Sequence, residues 1–130
     1  MGLDFPWPIT TGEWLAWTSA AATAMIGLLY LFAPRLMLRL SGLAVPLERQ
    51  QALAHLRGPI AGFLLGVGLG AILLGQPLVY LVLGFAWGFT AFGRVIGMLS
   101  DGAGLRNFLH LIAETGLAVL ALLFATGIVP

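Results

Sequence analysis

Four ionisable residues, Arg57, Arg94, His110 and Glu114, stand within or at the ends of long apolar runs, and they are the residues of this chain best placed to do chemistry. Glu114 lies inside the run from Phe108 to Val129, and Arg94 lies near the end of the run before it. A carboxylate or guanidinium at the centre of a bilayer costs about 3 kcal/mol on insertion scales, so such a group turns inward, pairs or stays wet. Asn107, His110 and Glu114 follow the three-and-four spacing of one helical stripe, continued by Ala118, Ala121 and Ala125. The equivalent stripe on the preceding run holds Trp87, Thr90, Arg94, Gly97 and Asp101. Arg94 lies about one turn from the end of its segment and Glu114 about two turns from the adjoining end of its own. This spacing predicts a Glu114–Arg94 pair, with Arg57 competing for the same carboxylate. Three roles stay open for it: a pair that fixes helix register, a clasp for a polar head group, or, with His110, a proton relay.

Metal and nucleophile chemistry find less support. His110 and Glu114 at one helical spacing supply two ligands, the only other histidine is His55, and there is no cysteine, so no metal is expected. The two histidines could in principle hold a haem from both sides, but each falls near the end of a span, and an interfacial place is expected for both. No cofactor is therefore expected. Ser19 and Ser100 have no neighbouring His and acid, and the chain has no nucleophile elbow, phosphate-binding loop or dinucleotide fingerprint. Gly66 and Gly68 lie within an apolar run and lack the strand that such a fingerprint requires.

The elements that must position these side chains follow from composition. With 60% hydrophobic and 8% charged residues in 130, and a mean hydropathy of +1.02, the sequence describes an integral membrane protein. A helical span needs about 20 apolar residues, and four such stretches fit with short connections. The expected fold is an all-α membrane four-helix bundle forming one domain over 1–130, with spans near 14–33, 56–74, 78–99 and 107–128. A net charge of +1, from six Arg and no Lys, gives nucleic acid no electrostatic foothold. The absence of cysteine excludes disulfides and iron–sulfur ligation. Asp4 and Glu13 before the first span give no basic leader, and Pro6 at the sixth position argues against myristoylation at Gly2.

Between the first two spans, Arg35 to Gly42 mixes two Arg with apolar residues and reads as a short interfacial helix. Pro46 to Gln51 then feeds the second span, which Pro59 is expected to kink near its start. Arg35, Arg39, Arg49 and Arg57 flank the first connection, and Arg94 and Arg106 flank the third. The positive-inside rule makes those connections cytoplasmic and sends both termini outward, to the periplasm of a Gram-negative bacterium. Trp7, Trp14, Trp17 and Tyr80 then fall at the outer interface, and Tyr30 and Phe32 at the inner one.

Gly58, Gly62, Gly66 and Gly70 recur every four residues on the second span, and Gly84 with Gly88, then Gly93 with Gly97, repeat the spacing on the third. Ala16, Ala20 and Ala24, with Ser19, Thr23 and Gly27, form small-residue rows on the first. Such rows let helices approach closely, either inside one bundle or between copies of it.

The order of Ala33-Pro34, a basic surface segment, Leu56-Arg57-Gly58, Gly93-Arg94, Ser100-Asp101-Gly102 and Glu114 resembles a family of small bacterial membrane proteins described as a domain of unknown function, related in architecture to DoxX-like four-helix proteins. The resemblance runs from about residue 12 onward. It implies a four-helix inner-membrane protein with Arg57, Arg94 and Glu114 as the positions to test. Some DoxX-like relatives are linked to quinone or thiol redox systems, and the lack of cysteine argues against the thiol version here.

Four classes of function remain. The first is an accessory or assembly subunit of a membrane complex, since the chain has almost no extramembrane part and no catalytic set. Next come a binder of a lipid, quinone or other hydrophobic molecule and an oligomeric transporter or proton pathway, and an enzyme comes last. Membrane lipids, and a partner membrane protein or a second copy, are the expected partners.

Overall fold

In a computed structural model that describes residues 5–130, every regular element is helical. Gly2 and Asp4, on which the leader and acylation readings partly rest, lie outside the described residues. The helices are α1 (Thr11–Phe32), α2 (Pro34–Leu40), α3 (Ala61–Leu74), α4 (Pro77–Asp101) and α5 (Leu105–Ala125). Between α2 and α3 the chain passes through a 3₁₀ segment, Leu47–Leu53, and a π-type turn, Leu56–Ile60. Four helical stretches, Thr11–Phe32, Leu47–Leu74, Pro77–Asp101 and Leu105–Ala125, are long and apolar enough to cross a membrane. The chain is a multi-pass, all-α membrane protein, and its long helices are consistent with a four-helix bundle.

Local sequence explains where the helices start and stop. Thr10 caps α1, its hydroxyl accepting from the Glu13 N–H at 3.2 Å, while the Glu13 carboxylate accepts from the Ile9 N–H at 2.8 Å. This capping box starts the helix at Thr11, ahead of the expected 14. Ala33 breaks α1 with φ −133° and ψ 55°, and Pro34 restarts the chain as the first residue of α2. The π-type turn encloses Pro59, which has no N–H to donate, so the irregularity expected at the start of the second span is present. Gly75, at φ +61°, ends α3 in the left-handed region and leaves a two-residue turn to α4. The last helix stops at Ala125, short of the expected 128, because Thr126 caps it and Gly127 turns the chain at φ +79°.

The packing is uneven. α1 lies against both α3 and α5, α4 lies against α5, and α3 and α4 touch only sparsely. The order α3–α1–α5–α4 therefore leaves an opening where the ring of helices would close. α1 can be central because its buried positions are small: Gly12, Ala16, Ser19, Ala20, Thr23, Ala24 and Gly27. Two hydrogen bonds pin it to its neighbours. The Ser19 hydroxyl donates to the Leu117 carbonyl at 2.7 Å, and the Trp87 indole N–H donates to the Thr23 hydroxyl at 2.8 Å. Thr23 in turn donates to the Ser19 carbonyl at 2.8 Å.

Glycine rows do less inside the chain than their spacing predicts. A Cβ built at Gly58, Gly62, Gly66, Gly70, Gly88, Gly93 or Gly97 meets nothing within 4 Å. The buried side of α3 is set instead by Ala61, Gly68, Ala71 and Ile72. A four-residue step turns about 40° past a full helical revolution, and Gly62, Gly66 and Gly70 fall on the side away from that face. The close approaches occur elsewhere. At Gly68 a Cβ would stand 2.7 Å from the Ala24 nitrogen and 2.8 Å from the Ala20 oxygen, and at Gly84 it would collide with the Leu122 side chain. Of the six glycines expected to mediate packing, only Gly84 has a close neighbour among the described residues.

Candidate functional site

The turn at Gly102, where φ is +105°, folds α4 back along α5 and brings Arg94 opposite Glu114. The Arg94 Nε donates to Glu114 Oε1 at 2.6 Å and its Nη2 donates to Oε2 at 2.8 Å. This fork-to-fork geometry matches the planar guanidinium to the planar carboxylate. Nη1 donates to the Asn107 amide oxygen at 2.9 Å, so the guanidinium is held at three points. The carboxylate side chain is 10% exposed and the guanidinium side chain 27%, so Glu114 is the more enclosed partner.

The other two expected members take different places. Arg57 does not compete for Glu114: its Nη1 donates to the Leu31 carbonyl at 2.8 Å, satisfying a backbone acceptor in the last turn of α1. The helix that carries it packs against α1, on the far side of the opening from α4, and both carboxylate oxygens are already taken by Arg94. His110 is one turn from Glu114 on α5, and its Nε2 lies 3.4 Å from the Leu40 carbonyl, a long contact made only by the tautomer protonated at that nitrogen.

Arg94, His110 and Glu114 line one cavity of about 520 Å³. Tyr30, Ser41 and Thr90 add hydroxyl groups to its wall, and Ile26, Ile60, Phe63, Leu64 and Leu117 make the rest largely apolar. A second hollow of about 170 Å³ shares Phe63, Leu64, Trp87 and Thr90 with it and continues to Val67 and Leu83. The two form a crevice between α3 and α4, with α1 behind it. The short turn at Gly75 ties these helices at one end. The crevice is polar toward the end that bears Pro59 and Arg94 and apolar toward Val67 and Leu83.

Its polar part is built around an ion pair: Arg94 and Glu114 carry opposite charges, and each carboxylate oxygen accepts one bond from the guanidinium. Among the described residues, no three of His, Cys, Asp or Glu gather closely enough to hold a metal ion.

Sequence spacing placed Asn107, Thr90 and Trp87 on the right stripes but did not reveal the Trp87–Thr23–Ser19 relay, which joins α4 to α1. The signal was there: Ser19 and Thr23 are the two hydroxyl residues in a row otherwise read only as small. Tyr30 and Ser41 reach the cavity from elements far away in sequence, and no local pattern announces that.

Comparison with curated proteins and with solved structures returns no match. A family described as a domain of unknown function, DUF4345, matches residues 12–125, which include every helix but the first residue of α1 and all the residues lining the crevice. The chain belongs to this family of proteins containing the domain of unknown function DUF4345.

Proposed function

We propose that this small membrane protein holds an amphipathic molecule in the crevice between α3 and α4. An uncharged, hydrogen-bonding head group rests beside Arg94 and His110, and an apolar body lies along Phe63, Leu64 and Trp87. The observation that carries this reading is the cavity of about 520 Å³ with the ion pair in its wall. Binding sites for small molecules have this character: largely apolar walls, a few convergent polar groups and a volume of roughly 300–1,000 Å³. The crevice moves ligand binding ahead of the accessory-subunit reading that composition favoured.

Filling the space tests the idea. Native mass spectrometry of the protein released from mild detergent should show a bound hydrophobic molecule, which solvent extraction then identifies. Thr90→Trp places an indole in the cavity and should abolish the bound mass while helicity and melting are retained. A wild-type protein that carries nothing, or a Thr90→Trp variant that still carries it, sinks the proposal.

The same reading extends to orientation. All six arginines lie at or near the end of the bundle formed by α2 and the turn after α4. By the positive-inside rule that end faces the cytoplasm of a bacterial inner membrane and both termini face the periplasm. Because the chain has no cysteine, single cysteines at Ser100 and Ile128 report sidedness cleanly. An impermeant maleimide added to intact spheroplasts should label only the second.

A further inference from the structure

A second groove, separate from the crevice, lies on the outside of the bundle between α2 and the segment that follows it. It has a volume of about 690 Å³, and its wall includes Arg35, Arg39, Leu38, Leu43, Leu47 and Gln50. Arg35 and Arg39 are four residues apart on α2, so their guanidiniums emerge on one side of the helix, one turn from each other. Arg35 is fixed in place: its Nη2 donates to the Gln50 side-chain oxygen at 2.6 Å, and the Gln50 amide donates to the Pro46 carbonyl at 3.1 Å. Among the described residues, no carboxylate lines the groove. Leu36, Leu40, Leu43 and Leu47 beside it are exposed, with Leu47 at 87%.

We infer that this groove is a binding site for one anionic phospholipid, whose phosphate sits between Arg35 and Arg39 and whose glycerol and upper acyl chains lie on the leucines. Two guanidinium forks on one helical face match the oxygens of a phosphodiester, and Arg binds phosphate more readily than Lys does because its donors are paired and planar. The exposed leucines are placed to meet hydrocarbon just where the arginines meet head groups, as on an interfacial helix. Arg57 and Arg106 lie at the same end of the bundle and add attraction for an anionic leaflet. The glutamine brace on Arg35 distinguishes the groove from that diffuse attraction, because it holds one donor group ready before the lipid arrives.

The test uses the full chain in detergent micelles, titrated with dioleoyl phosphatidylglycerol or dioleoyl phosphatidylcholine and read by native mass spectrometry. The wild type should retain one phosphatidylglycerol with a preference of roughly tenfold or more over phosphatidylcholine. Arg35→Gln with Arg39→Gln should erase that preference, while Arg49→Gln, outside the groove, and Thr90→Trp, in the crevice, keep it. If the double variant does not fold, Arg39→Gln alone, at an exposed position, carries the test. Equal retention of the two lipids by the wild type would overturn the assignment. So would an equal loss in Arg49→Gln, which would indicate surface charge alone, and so would complete displacement by excess inorganic phosphate, which would make the groove a site for a free anion. A crevice that fails its own test leaves this result unaffected, since the two sites share no residue.

Discussion

Removing Arg94 should harm the protein more than removing the charge of Glu114, although the two form one pair. In Arg94→Met both oxygens of a side chain only 10% exposed lose their donors together. Orphaning a buried charge costs about 3–5 kcal/mol, and the site lies at the wall of an open crevice, so the lower end, about 3 kcal/mol, applies. In Glu114→Gln the guanidinium keeps its bond to Asn107, can still donate to the new amide oxygen, and is 27% exposed to whatever fills the crevice. A charge with those alternatives loses about 1–2 kcal/mol. Arg94→Met combined with Glu114→Leu removes both charges and should be more stable than Arg94→Met alone, with a coupling of about 2 kcal/mol. The measurement is the unfolding free energy from SDS titration in dodecylmaltoside micelles, followed by far-ultraviolet circular dichroism. The reasoning fails if Glu114→Gln is as costly as Arg94→Met, or if the double variant shows the simple sum of the losses in Arg94→Met and Glu114→Leu measured singly.

Four further substitutions test the packing and its ties. Gly68→Ala would put a Cβ 2.7 Å from the Ala24 backbone nitrogen, which must retreat by about 0.7 Å to reach the 3.4 Å of ordinary contact, so the same titration should show a loss of about 1–3 kcal/mol. Gly66→Ala enters open space and should be neutral or gain about 0.5 kcal/mol; a loss as large as that of Gly68→Ala would mean the outward row packs on something in the micelle. Trp87→Phe removes the donor to Thr23 and should cost about 1 kcal/mol, near the value for hydrogen bonds between membrane helices. Arg57→Gln gives up one bond from an exposed side chain to the Leu31 carbonyl, so it should cost under about 1 kcal/mol in the same titration.

Periodicity carried the sequence reading furthest where one helix face decides the outcome. The stripes through Arg94 and Glu114 lie on adjacent antiparallel helices joined by a short turn, so their meeting follows from spacing and turn length alone. Arg57 shows where that logic stops. It shares an end of the bundle with Glu114, but the Ala33–Pro34 break and the π-type turn at Pro59 carry it beside the end of α1, and neither rotation can be read from composition. The glycine rows fail for a related reason. Spacing says which small residues share a face, whereas the face that becomes buried depends on all its competitors, and on α3 the side bearing Ala61, Gly68, Ala71 and Ile72 packs against α1. Thr10 and Glu13 carry a local start signal at Thr11, which a boundary drawn from hydropathy near 14 does not register.

The crevice itself follows from the way these contacts divide the bundle. Arg94, through Glu114 and Asn107, binds α4 to α5 near the end of the hairpin. Arg57, through the Leu31 carbonyl, binds the chain just before α3 to the end of α1. The two ties hold α3 and α4 to different neighbours, while the turn at Gly75 keeps their other ends together. A gap between them is the geometric result, and Arg94 and Glu114, which make one of the ties, also line it. A register-fixing pair and a ligand-clasping pair are then not rival descriptions of Arg94 and Glu114, because the same bonds shape the space and supply its polar wall. It also follows that loss of ligand in an Arg94 variant would not separate contact from collapse of the gap. Thr90→Trp separates them, since it occupies the space and leaves both ties intact.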